Sequence, residues 1–187
     1  MELPDLDQPC GAHFIYRDFC ECSDTWKAHK IDNTPKELET YESIRDMCRE
    51  ILDPVWREFG EVKLTYGFSS PALVNLVKKQ SYPNITPSGD QHSGSEINRN
   101  GKRICSRLGI SVDFYVKGVS SLQVAQWVVK NTNFDRLYFY SSHRPFHVSV
   151  GPECKKKIVL MDGYRGGRHQ PINRSVEQFL SLDEKLN

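Results

Sequence analysis

Two histidines and an aspartate form the set in this chain best suited to doing chemistry together. His92 lies near the start of the stretch QHSGSEINRNGKRICSRLGISVD (residues 91–113), Asp113 closes it, and His147 follows downstream in RPFHVSVG. Two imidazoles and a carboxylate are the donors of a catalytic zinc, which keeps three protein ligands and leaves a fourth position for water or substrate. Asp113 falls within Gly109–Val116, GISVDFYV, an apolar and β-branched run that reads as a strand. A carboxylate there is costly to bury without a cation beside it. Phe146–Val150, FHVSV, is a second short apolar run with one histidine inside. Two strands of one sheet, each presenting a donor to the same side, would hold a metal rigidly, with His92 arriving from the loop before them. One Asp or His in a strand is more often merely hydrogen-bonded or at an edge, so the expectation rests on the set rather than on any member.

A zinc hydrolase also needs a base for the attacking water and a donor for the developing oxyanion. Glu96, four residues after His92, and His143, four before His147, are candidates for the base. Arg144 is the candidate for stabilising negative charge or holding a substrate carboxylate. The competing roles are ordinary ones: a surface carboxylate, a turn residue and a strand-edge charge.

The elements that must position these residues are legible as hydrophobic periodicity. Residues 12–34 read as an extended segment with a short helical turn around Trp26, capped by Ser23-Asp24. Thr34-Pro35-x-Glu37 predicts a helix start with Thr34 as N-cap and Glu37 closing a capping box. Leu38, Tyr41, Ile44, Cys48 and Ile51 then form an apolar stripe, which Pro54 interrupts and Gly60 ends. Glu61–Phe68 reads as a strand, and Ser70-Pro71 opens a further helix. Residues 80–91 form a loop rich in Pro, Ser, Gly and Asn. Asn100-Gly101 marks a tight turn, so residues 94–108 read as a flap with a basic tip. Ser120-Ser121 caps a helix apolar over most of its circumference. Leu137–Tyr140 and Lys157–Met161 are strands, YRGGRH (164–169) is a basic loop, and residues 175–182 are a closing helix with Val176, Phe179, Leu180 and Leu182 facing in. Together these predict one α+β domain over 1–187, a mostly antiparallel sheet with helices packed on it.

Composition narrows the class. The chain has 187 residues, 38% hydrophobic and 11% aromatic, which suits a folded domain with a sizeable core. A net charge of +1 gives no general attraction to nucleic acid or anionic membrane. The first residues, MELPDLDQPCG, have no basic n-region and no apolar stretch, and no segment approaches membrane-spanning length, so the expectation is a cytoplasmic protein. In that setting the six cysteines are expected as thiols, and Cys20-x-Cys22 is too tight for a zinc knuckle.

The ordered set of motifs resembles the zinc D-alanyl-D-alanine peptidases, the family that shares a fold with the Hedgehog signalling domain. Gln91-His92 and Gly109-Ile110-Ser111-Val112-Asp113 resemble the two ends of its S-x-H-x-x-G-x-A-x-D motif. Phe146-His147-Val148 resembles its last ligand strand. Leu64–Pro71 resembles the segment containing S-G-Y-R-S-P, and His13-Phe14 through Ser23 the family's opening motif. The resemblance covers most of residues 12–150. It implies the Hedgehog/DD-peptidase fold, Zn2+ held by His92, Asp113 and His147, and a peptide or cell-wall substrate. The departures are specific. Residues 94–108 are an insertion between the first two ligands. Ser69 replaces the family's substrate-binding arginine. Pro145 and Arg144 stand where many members carry a catalytic histidine or glutamate.

The leading expectation is therefore a zinc-dependent peptidase or amidase acting on a peptidoglycan-type peptide, of bacterial or phage kind, released by lysis machinery. The alternative is a binding module of the same fold that keeps the metal and has lost hydrolysis. A nucleic-acid- or nucleotide-binding reading would use Arg99, Lys102, Arg103, Lys155 to Lys157 and Arg165, but the near-neutral charge and the lack of a recognised nucleic-acid motif argue against it.

Overall fold

The structure, a computed structural model, describes residues 2–79, 90–161 and 171–183, with the backbone of 164–165 and 168–169. The loop expected over 80–91 thus lies almost wholly outside the described residues. The elements run α1 (Tyr16–Glu21), α2 (Asp24–His29), α3 (Leu38–Met47), a π-helical turn (Cys48–Leu52), α4 (Asp53–Phe59), β1 (Val62–Tyr66) and α5 (Pro71–Lys78). A 3-10 turn (Gln91–Ser93) leads to β2 (Ile110–Val116), α6 (Ser121–Asn131), β3 (Arg136–Phe139) and β4 (Phe146–Val150). β5 (Lys157–Leu160), β6 (Tyr164–Arg165), β7 (Arg168–His169), β8 (Ile172–Arg174) and α7 (Val176–Leu180) complete the chain.

The result is an α+β architecture around a six-stranded sheet in the order β1-β2-β4-β3-β5-β8. Every neighbouring pair is antiparallel except β3 and β5, which run parallel. The mostly antiparallel sheet expected from the sequence is thus present. β6 and β7 pair as a separate antiparallel ribbon where a basic loop was expected.

Alternation along the strands gives the sheet two unlike faces. Ile110, Val112 and Phe114 of β2, with Phe146, Val148 and Val150 of β4, are buried in a core that also takes Ile44 and Met47 of α3 and Val124, Ala125 and Val128 of α6. The intervening residues put Asp113, His147 and Tyr138 on the opposite face, and the register aligns them. Asp113 pairs with His147, His147 with Tyr138, and Tyr66 with Asp113 after a bulge in β1. A one-residue slip of β2 against β4 would send Asp113 into the hydrocarbon core, so burial of the inner face sets the geometry of the outer one.

Four local expectations need correction. Residues 12–34 hold two helices, not one turn: α1 starts at Tyr16, and α2 is capped by Ser23 as expected. Helix α3 starts at Leu38 with Glu37 as N-cap, not at Thr34. The reason is long-range: the Glu96 carboxylate accepts from the Lys36 and Glu37 backbone N–H groups at 3.1 Å and replaces the local capping box. The α3 stripe is interrupted before Pro54 by the π-helical turn, and Pro54 follows it at the start of α4. Leu180 is 38% exposed, while Phe179 is buried. Among the described residues, no helix is long and apolar enough to cross a membrane.

Candidate metal centre

The outer face of β2 and β4 carries the three residues singled out by the sequence. One donor atom each from His92, Asp113 and His147 lies within 4.8 Å of the others. Asp113 Oδ1 is 2.9 Å from His147 Nδ1 and 3.4 Å from His92 Nε2. Metal–nitrogen and metal–oxygen bonds of about 2.0–2.2 Å around a tetrahedral ion place neighbouring donors roughly 3.3 Å apart. The two spacings to Asp113 are close to those edges, so the group could hold a metal ion.

Backbone groups orient the ligands. The other ring nitrogen of His92, Nδ1, is 2.8 Å from the Gly67 carbonyl oxygen, which can only accept, so Nδ1 carries the hydrogen and Nε2 is aimed at Asp113. The Ser69 N–H donates to the His92 carbonyl at 2.9 Å, and the Asp90 carboxylate accepts the His92 N–H at 3.1 Å. An imidazole tied through its second nitrogen to a carbonyl is the usual supporting arrangement of a metal-ligating histidine. The segment after β1 is itself clamped: the Asn33 amide donates to the Cys20 and Phe68 carbonyls and accepts from the Ser70 N–H. The Tyr66 ring lies edge-on to His92 at 4.7 Å, and the Tyr138 ring to His147 at 5.1 Å.

Without a metal, the two histidines and Asp113 stabilise one another's charges. Burial works against charge on His92, but Asp90, Asp113 and the Gly67 carbonyl outweigh it and lift the imidazole to about 9. Burial likewise opposes the Asp113 charge, and the two histidines outweigh it, holding this carboxyl well below the ordinary range. A histidine raised from 6.5 gives stability that is fully present below pH 6.5 and lost as pH rises through about 9. The Asp113 contribution is present above pH 3.8 and lost as pH falls below it. The metal-free protein is therefore expected to lose melting temperature between pH 7 and 9. Metal binding runs the other way, because it must displace the His92 proton: affinity should rise about tenfold per pH unit from 7 to 9 and then level. Titration calorimetry at four pH values, with chelator-treated melts beside it, checks both slopes.

The three residues proposed for catalysis are not gathered in the same way. Glu96 is buried, and its carboxylate is committed to the Lys36 and Glu37 N–H groups and to the Thr40 hydroxyl at 2.9 Å, with burial raising its pKa against those bonds. Glu96→Ala should cost about 2 kcal/mol in urea unfolding by orphaning the start of α3, with metal affinity unchanged. His143 and Arg144 are exposed in the turn between β3 and β4, and the Arg144 guanidinium sits 5.7 Å from the centre of the Tyr140 ring.

Sequence reasoning passed over Asp90 and the tyrosines. Asp90 caps the 3-10 turn that carries His92, and its charge acts on His92, Tyr66 and Tyr140 together. Tyr66 is pushed up to about 12 by burial, with the Ser69 bond opposing and Asp90 and Asp113 adding to the rise. Tyr140 is raised by burial and then by Asp113, against the pull of Arg144. Both phenols therefore keep their protons at neutral pH. Asp90 stands two residues before His92, a spacing that could have flagged it; the tyrosines gave no signal apart from strand position.

The flap is partly as expected. Ile97 and Arg103 pair across it, the Asn98 N–H donates to the Lys102 carbonyl, and residues 97–103 are exposed. No family model matches this chain, and no curated protein or solved structure matches it either.

Proposed function

We propose that this protein is a zinc-dependent peptidase or amidase with a site like that of the D-alanyl-D-alanine peptidases and their Hedgehog-fold relatives, acting on a short peptide of the cell-wall type. The observation that carries the reading is the convergence of His92, Asp113 and His147 at donor spacings suited to a tetrahedral ion, with His92 held by the Gly67 carbonyl. His92, through Nε2, Asp113 and His147, through Nδ1, would hold the ion. Zinc bound there would supply a Lewis acid that polarises a carbonyl and acidifies water.

The chain's own groups divide the remaining work. Asp90, whose carboxylate holds the His92 N–H, would take the part of base, for which Glu96 is not free. The Tyr140 phenol stays protonated and is suited to donate to a developing oxyanion. Arg144, beside Tyr140, would suit a substrate carboxylate, the part played in the family by the arginine that Ser69 replaces here.

The commitment of Glu96 and the exposure of His143 favour a second reading, a metal-keeping binding module. One experiment separates the two: zinc-loaded protein is incubated with muropeptides, with and without chelator, and products are read by mass spectrometry. Hydrolysis that chelator abolishes, and that Asp90→Asn lowers about a hundredfold or more with zinc retained, supports the enzyme. Saturable muropeptide binding without turnover supports the module. Neither turnover nor binding removes the cell-wall substrate from the proposal.

A further inference from the structure

Away from the metal face, the N-terminal segment is held against the helical layer by two thiols. Cys10 Sγ and Cys48 Sγ are 3.6 Å apart, and both cysteines are buried, at 6% and 0% exposure. The surrounding backbone is independently fixed. The Cys10 and Gly11 N–H groups donate to the Phe14 carbonyl, and the Ala12 N–H donates to Asp53 Oδ2 at 3.0 Å. A Cβ on Gly11 would lie 2.6 Å from the Cys48 Cβ, so only glycine lets the segment approach this closely. Cys48 opens the π-helical turn, a local widening often found at functional positions.

Cys10 also lines a cavity of about 450 Å3 whose charged walls are Arg45, Arg49, Asp53 and Arg57. These stand at four-residue steps along one helical face. Arg49 is paired with Asp46 and Glu50, while Arg45 and Arg57 have no ion pair among the described residues. The cavity therefore offers net positive charge beside a thiol.

We propose that Cys10 and Cys48 form a regulatory disulfide, made by exchange with a small anionic disulfide that docks on this arginine-lined cavity. The chemistry balances without any further oxidant. The Cys10 thiolate attacks one sulfur of the incoming disulfide, forming a mixed disulfide and releasing one thiolate, which takes up the proton given up by Cys10. The Cys48 thiolate then attacks the Cys10 sulfur, closing the protein disulfide and releasing the second small thiol with the Cys48 proton. Two protein sulfurs are oxidised and one small disulfide is reduced to two thiols. Contact with Cys10, and then burial, push the Cys48 thiol up, in keeping with its reacting second, once Cys10 has engaged. The bond would staple the N-terminal segment to the π-helical turn.

The test uses the reduced full-length chain with oxidised glutathione and, separately, with the uncharged hydroxyethyl disulfide. The expected result is the loss of two hydrogens by intact mass, a Cys10–Cys48 cross-link on peptide mapping, and a melting temperature higher by roughly 10 °C. Cys48→Ser should stop at one glutathionyl group on Cys10. The double variant Arg45→Ala/Arg57→Ala should react about tenfold more slowly with oxidised glutathione and at the unchanged rate with the neutral reagent. No cross-link, or one through another cysteine pair, overturns the proposal. Equal slowing with both reagents, or no slowing with either, overturns the docking site.

Discussion

Asp113→Asn should abolish tight metal binding while leaving the fold intact. Asparagine keeps the shape of the side chain and removes its charge. Asp113 Oδ1 is the one atom shared by both imidazoles, 2.9 Å from His147 Nδ1 and 3.4 Å from His92 Nε2, so it anchors the donor set as well as belonging to it. Outer-shell substitutions around metal ligands already lower affinity about 10- to 100-fold, and loss of an anionic ligand should exceed the top of that range. The metal-free protein should also change. Without its anionic partner the His92 imidazole should fall from about 9 toward its ordinary value. Removing one member of a buried pair costs about 3 kcal/mol, present in full between pH 3.8 and 6.5, where His92 is charged and Asp113 ionised. Titration calorimetry at pH 7.5 and urea unfolding at pH 6 with chelator measure the two effects. Unchanged affinity would mean that the carboxylate is a partner of the histidines and nothing more.

Gly109→Ala should be the most damaging small substitution in the described structure. Gly109 has φ +91°, a conformation that an L side chain rarely adopts, and an added Cβ would lie 1.9 Å from the Val150 carbonyl oxygen. That neighbour is backbone and cannot rotate away. The residue joins the flap to β2 just where Ile110 pairs with Val150, so relief requires β2 and β4 to part in the register that aligns Asp113 with His147. The strained conformation and the backbone contact together should cost about 3–5 kcal/mol and weaken metal binding with it. Gly101→Ala is the control: it also has positive φ, but nothing lies within 4 Å of its Cβ position, so it should cost about 1–2 kcal/mol and spare the metal. Equal losses in the two variants would contradict the steric account.

What the sequence made legible was what short-range pattern encodes. β2 and β4 were readable because apolar residues alternate through them, and Asp113 and His147 fall at the outward positions of that alternation. Ser23, Ser70 and Ser120 were readable as caps because each serine bonds a backbone N–H two or three residues ahead. What was hidden depended on distant residues. The start of α3 follows from Glu96, some sixty positions away, which overrides the capping pattern at Thr34. The same bond takes Glu96 out of the part of base that its closeness to His92 suggested. Helix α1 is short, and part of its support is the long-range hydrogen bond from the Phe68 N–H to the Phe19 carbonyl, which no periodicity announces. Asp90 was overlooked because it reads as the end of a polar loop; only the 3-10 turn brings its charge back onto His92.

The claim on which the account rests is that three side chains from a loop and two strands hold one ion. Elemental analysis of protein loaded with zinc and then desalted at pH 8 tests it most directly. About one zinc per chain is expected in the wild type and in Glu96→Ala, and almost none in His147→Ala. Zinc lost from the wild type, or kept equally by His147→Ala, would contradict it.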